Sequence, residues 1–293
     1  MSAGLTGTGA YRRTARAGLG AAVALAACLG PWGGDGRADP AARDCEARLA
    51  KEWIAAAFSG APVVTGHRVG RVELESPVWV REATGSAARY AFDLRDRRPP
   101  EDPRAAFTDV DISGLRSSSR FGAGIRTHRD GPAMQLFLVD VTIAPGWPDW
   151  VSYQHTNYDG VVADGAAALF AQNLTITDWN ADSAIDNKAT ISQLVRLEVT
   201  GSGYRPLRYW QPGPHYLVDS TIRRNGPGPL IWIQDCESTR LFVHETTFNG
   251  QARLTDAMIS CEVGDTPDIV YTDEDPRKSG IMHPMFSLCN DRE

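Results

Sequence analysis

Leu174-Thr175-Ile176, Leu197-Glu198-Val199 and Ser220-Thr221-Ile222 are three short apolar or β-branched triplets that follow one another at an equal spacing, Ile176 to Val199 to Ile222. Working outward, similar triplets stand at Val141-Thr142-Ile143 before the first and at Thr246-Thr247-Phe248 after the last, each at a somewhat longer spacing. A second series is offset from the first and runs Val161 to Asp164, Ala184 to Lys188, Leu207 to Trp210, Ile231 to Gln234 and Met258 to Cys261. Two strands per repeat at this period predict a solenoid, because one coil cannot bury its apolar face alone and must stack on its neighbours at about 4.8 Å per coil. Propeller blades need roughly 40 residues, and the Leu/Asn pattern of leucine-rich repeats is absent. An all-β parallel β-helix over residues 106–268 is the expectation.

The flanks read differently. Asp39-Pro40 has the form of a helix cap and first position, and Ala41 to Phe58 has helical composition with Leu49, Trp53 and Ala56 on one face. An N-terminal capping helix is expected there, plugging the open end of the stack. Residues 39–105 are read as this helix and irregular first coils, with a charged, proline-rich surface loop from Arg97 to Arg104. Residues 269–293 are read as a C-terminal tail.

The chain of 293 residues is 42% hydrophobic and 23% charged, a soluble composition with enough apolar residues for a core. Of its 30 bases and 36 acids, Arg12, Arg13, Arg16, Arg37 and Asp35 precede Asp39, and setting these aside leaves 26 against 35, near −9. That balance repels phosphate backbones and gives no overall attraction to anionic lipid, so nucleic acid is not an expected partner. Arg12, Arg13 and Arg16 precede an apolar run from Ala17 to Leu29, the order of a secretory signal peptide over residues 1–38. Two processing readings stay open: a signal-peptidase site near Gly36-Arg37-Ala38, or a lipobox at Leu25-Ala26-Ala27-Cys28 with Gly30 to Asp39 as tether. Export follows from either, to the periplasm, the outer membrane or the outside, with membrane contact only through a lipid on Cys28. A monomer is expected.

Either cut leaves Cys45, Cys236, Cys261 and Cys289, an even number in an oxidising compartment. Stacking of adjacent coils predicts Cys236 with Cys261. Cys45 with Cys289 then remains and requires a tail returning along the stack; Cys261 with Cys289 is the rival.

Alternation along the second series sends Ile185, Leu207, Tyr209, Ile231 and Ile233 inward. Asp164, Asp186, Arg208 and Trp232 then share one outward column, with Lys188 beside Trp210 in the next. Core formation does not require Lys188, Arg208 and Trp210 together, although an exposed ion-pair ladder, worth about 0 to 1 kcal/mol per pair, has the same look. No Asp-Asp pair and no Gly-x-Ser-x-Gly occurs, which speaks against the usual carboxylate cluster of β-helix glycosidases and against a serine hydrolase.

The segment from Asp182 to Gly250 resembles the right-handed, single-stranded parallel β-helix of the pectate-lyase-like superfamily. Locally it is most similar to polysaccharide lyase family six, the alginate lyases and chondroitinase B. Asn187-Lys188-Ala189 followed by Pro206-Leu207-Arg208-Tyr209-Trp210 is similar to that family's strand ends. Tyr209 stands where the family has His, and Asp182 and Asp186 stand near the place of its calcium-binding Glu-x-Glu. The resemblance implies β-elimination on an acidic polysaccharide, with Lys188 as base and Arg208 as its acid partner. Removing the C5 proton of a uronate needs a base and a positive charge for the enolate, and Arg208 is expected to lower the Lys188 pKa by like-charge repulsion. Asp164, Asp182 and Asp186 would offer hard oxygens to Ca²⁺. Trp210, Trp232 and Tyr209 form the expected substrate-binding set. The alternative kept beside this lyase is a non-catalytic envelope protein that binds or organises glycans.

Overall fold

In the computed structural model, which describes residues 40–96, 103–115, 119–130, 133–144, 146 and 149–289, all paired strands run parallel in two sheets. Residues 1–38, read above as a signal peptide, with Cys28 among them, and most of the 97–104 loop lie outside the described residues. The larger sheet has twelve strands, its main path running from Val63–Val69 to Asp268–Tyr271. The smaller has eight, from Val72–Leu74 to Ile259–Val263. Neighbours within each sheet come from successive coils, so this is a parallel β-solenoid.

The sequence period becomes register directly. Ile112, Ile143, Ile176, Val199, Ile222 and Phe248 pair one on the next through the larger sheet. In the smaller sheet Ile125, Val161, Ile185, Leu207, Ile231 and Ile259 do the same. Like residues therefore stack on like, and each fully buried aliphatic contributes about 1.5–3 kcal/mol. The middle coils carry three strands, not two: Ser183–Asn187, Ile191–Val195 and Glu198–Gly201 make one coil. The extra break falls at a left-handed residue, repeated as Glu82, Asp109, Asp140, Asn173, Arg196, Asp219 and Glu245 with φ between 44° and 56°. Asp and Asn tolerate that region better than most side chains, and they fill four of these seven corners.

The helix Pro40–Ala57 does not plug the stack. Its Ala50 and Ile54, with Phe58 just beyond its end, lie on the outer face of the larger sheet against Ala106, Phe137, Val139 and Phe170. The physical reason is an apolar outer face: once these side chains point out, a helix covering them buries more apolar surface than one over the coil end. The end strand Val63–Val69 stays open, with Val69 77% exposed. Met282, Met285 and Phe286 of the tail join the same apolar layer. The corners bind both straps: Lys51 reaches Asp109 at 2.5 Å and Asp140 at 2.6 Å, Glu46 pairs with Arg196, and Arg277 bridges Glu46 at 3.1 Å and Asp219 at 2.7 Å.

The expected Cys236–Cys261 disulfide is present, and Cys289 joins Cys45 and not its rival Cys261. Cys236 and Cys261 have Cα atoms 5.7 Å apart on paired coils, and Cys45 joins Cys289 across 6.1 Å because the tail returns to the helix. Such bonds mark a chain that matures in an oxidising, non-cytoplasmic environment. Among the described residues no helix is long and apolar enough to cross a membrane. The coils before residue 105 are formed by Val63–Val69, Val78–Ser86 and Arg104–Ile112 pairing in sequence, with a register shift between Val64 and Gly66 in the first of them. One boundary needs correction. Residues 268–271 form one more strand before the tail begins.

Candidate functional site

The candidate residues gather on the outer face of the smaller sheet. Register pairs Asp186 with Arg208 and Arg208 with Trp232, as the alternation predicts. The residue across from Asp186 on the preceding coil is Val162, not Asp164. Asp164 lies two residues further along and rejoins the group through its side chain: Lys188 Nζ stands 3.1 Å from Asp186 and 3.3 Å from Asp164. Arg208 donates to Asp182 at 2.9 Å and lies 3.6 Å from Asp186. Trp210 donates its indole N–H to Asp186 at 2.6 Å.

Two members were not foreseen. Asp159 is buried on Asn157–Ala163, where its carboxylate accepts the Ser183 N–H at 3.0 Å. With its amide nitrogen turned toward the carboxylates, Asn157 donates to Asp182 at 3.1 Å and to Asp159 at 3.3 Å. Asp159 precedes Gly160 and reads locally as a turn residue. The signal for it is register, since it sits across from Ser183 on the next coil. Stacking thus assembles carboxylates that no Asp-Asp pair in the sequence announces.

Burial sets the electrostatics. Desolvation raises the Asp159 carboxyl well above its ordinary range, and the neighbouring Asp186 and Asp182 charges add to it. Asp182 is pushed up to about 6, burial outweighing the pull of Arg208. Burial alone would lower Lys188, but Asp186 and Asp164 outweigh it and hold the ammonium above its usual pKa. The expected lowering by Arg208 is therefore reversed, and at neutral pH Lys188 is a cation rather than a base.

Two expected binding side chains are buried. Tyr209 points into the core, as alternation requires, and packs on His215 with ring centroids 4.6 Å apart. Trp232 does face outward but is only 2% exposed, covered by Trp210 at 4.8 Å and by Arg205 and Arg208 over its ring. Trp210 remains half-buried, with Lys188 5.3 Å from its ring centroid. The acidic set does not suit Ca²⁺. The Lys188 ammonium already lies between Asp164 and Asp186, and Asp182 is engaged by Arg208. Among the described residues, the grouping with metal-ligand spacing is Asp219, His244 and Glu245, at a corner of the larger sheet where Arg277 holds Asp219. A cavity of about 540 Å³ also lies on that sheet, beneath the helix, lined by Lys51, Trp79, Arg81 and Asp109 among others.

No known protein family, curated protein or solved structure matches this chain.

Proposed function

We propose that this is an exported protein that engages an acidic polysaccharide on the outer face of the smaller sheet and cleaves it by β-elimination. The observation that carries the reading is the pair Asp159 and Asp182, bridged by Asn157, with burial raising the Asp159 carboxyl well above its ordinary value and that of Asp182 to about 6. Two neighbouring carboxyls raised in this way suit one to accept a proton while the other donates. Asp182, ionised above about pH 6, takes the C5 proton. The C5–H electrons form the C4–C5 double bond, the C4–O bond breaks, and protonated Asp159 gives its proton to the departing oxygen. Lys188 and Arg208 supply positive charge for the uronate carboxylate and its enolate, and Trp210 offers a ring face to a sugar. The likeness to pectate-lyase-like proteins and polysaccharide lyase family six supports this class. The right-handed, single-stranded coil belongs to the same proposal, right-handed crossover being the rule between parallel strands.

A second reading is favoured by one observation. Arg208 and Asp182 keep only 8% and 3% of their side-chain surface, so solvent meets the cluster chiefly through Lys188, 26% exposed, and Asp164. A non-catalytic envelope protein that binds glycan over a buried ion cluster fits that burial. Incubation with alginate, pectate and glycosaminoglycans separates the two. Unsaturated-uronate absorbance that disappears in Asp182→Asn supports elimination. Glycan binding without absorbance or new reducing ends supports the second reading, and new reducing ends without absorbance mean hydrolysis.

A further inference from the structure

On the coils preceding the cluster, the outer face of the smaller sheet carries guanidinium groups that no carboxylate meets. Arg126 and Arg89 lie over Tyr90, 4.8 and 4.9 Å from the ring centroid. Arg120 lies over Phe121 at 4.4 Å and Tyr153 at 5.3 Å. Among the described residues none of the three guanidinium groups has an ion-pair or hydrogen-bond partner; Arg89 and Arg120 are exposed and Arg126 is half-buried. Arg71, over the same Tyr90 ring, is by contrast paired with Asp93. In a chain of net charge −6, unpaired cations collected on one face are not a consequence of composition.

Register ties this row to the cluster. Tyr90 pairs with Ala123 and Ala123 with Asp159, while Arg126 pairs with Val162 and Val162 with Asp186. Arg126 is thus two strand spacings, about 10 Å, from Asp186. Phe121, next to Arg120, pairs with Asn157, the residue that bridges Asp159 and Asp182. The cluster itself sets Asp159, Asp164, Asp182 and Asp186 against Lys188 and Arg208, an acidic excess even with Asp159 protonated, so it does not attract a polyanion unaided. A guanidinium lying on a ring keeps in-plane N–H donors free to fork a carboxylate or sulfate.

We propose that Arg89, Arg120 and Arg126 form an anion-binding row that holds the acidic groups of a polysaccharide lying along the coil axis and leads it onto the Asp159–Asp182 cluster. This rests on the reading of that cluster as a glycan site. The test measures the affinity of the full chain for polygalacturonate, alginate and heparin, with inorganic polyphosphate as the probe of bare charge. The variants are Arg89→Gln with Arg120→Gln, and the triple variant adding Arg126→Gln. The double variant replaces exposed, unpaired groups, so its melting temperature should stay near wild type and keep the test readable if Arg126→Gln disturbs Tyr90.

The expected result is at least a tenfold loss of affinity for the glycan that wild type binds, a loss that shrinks in high salt as charges are screened. Arg126→Lys in the wild-type background should lose part of the affinity, since an ammonium cannot fork. Unchanged affinity in both Gln variants overturns the row and leaves the cluster reading standing. Equal affinity and equal loss with polyphosphate overturns the polysaccharide assignment. Wild type that binds none of the three glycans overturns both readings, whereas binding that needs the row but yields no product removes cleavage alone.

Discussion

Lys188 and Arg208 share one carboxylate, Asp186, but differ in what their removal does. Arg208 is buried between Asp182 and Asp186, so Arg208→Ala leaves uncompensated buried charge and should destabilise by about 3–5 kcal/mol in urea unfolding. Loss of activity in that variant therefore carries little information about chemistry. Lys188 is partly solvated, and Lys188→Ala should cost about 1 kcal/mol or less while abolishing product formation. A Lys188→Ala protein with full turnover would remove Lys188 from the mechanism. Asp182 gives a pH signature. Its folded pKa of about 6 lies above the ordinary value, so its contribution to stability is fully present below about pH 3.9 and is lost as pH rises through about 6. His215 and His283, both lowered to about 4 by burial, slope the opposite way: their contribution is present above about 6.5 and lost as pH falls through about 4. The isolating measurement is the difference between Asp182→Asn and wild type. That difference should shift in favour of the variant by about 2–3 kcal/mol between pH 4 and 7, and a flat difference would contradict the raised pKa.

At the level of elements, the apolar triplets were legible because stacked coils repeat the same inward demand, and each predicted last residue from Ile143 to Phe248 pairs with the next. The Asp164 slip shows the limit. Strand ends in the second series are polar, and a two-residue offset leaves alternation intact, so only the ladder itself distinguishes Val162 from Asp164 across from Asp186. Asp159 was hidden for a related reason, its local Asp-Gly context being that of a turn. The left-handed corners are harder to read as a series, because a single residue of positive φ leaves no periodic trace. Asn173 is the informative corner: at φ 56° it donates to Asp140 at 2.6 Å and accepts from Arg196 at 2.7 Å. Asn173→Gly should lose the two side-chain bonds at about 1–2 kcal/mol. Asn173→Ile should lose those bonds and add backbone strain of about 1–3 kcal/mol. Equal denaturation midpoints for the two variants would show that strain does not select the corner residue.

Across the whole molecule, the solenoid and its straps answer to different forces. The coil stack is held by parallel ladders and an inner aliphatic core, neither of which involves the helix or the tail. Helix and tail instead share one apolar layer with the outer face of the larger sheet, one ion network through Glu46, Arg196, Arg277 and Asp219, and one disulfide, Cys45 to Cys289. That bond spans 244 residues of sequence, and removing it from both ends should lower stability by roughly 2–5 kcal/mol. The loss should be local in its first expression. In Cys45→Ser with Cys289→Ser, hydrogen exchange should quicken in Pro40–Ala57 and after Thr272, while the central strand Ala168–Trp179 keeps its protection. Adding Glu46→Gln should extend the effect, since Arg196 and Arg277 then lose the carboxylate they share. Exchange that rises evenly through strands and straps would mean that the straps and the coil unfold as one unit, and that the outer layer is as much a part of the cooperative core as the stacked aliphatic ladders.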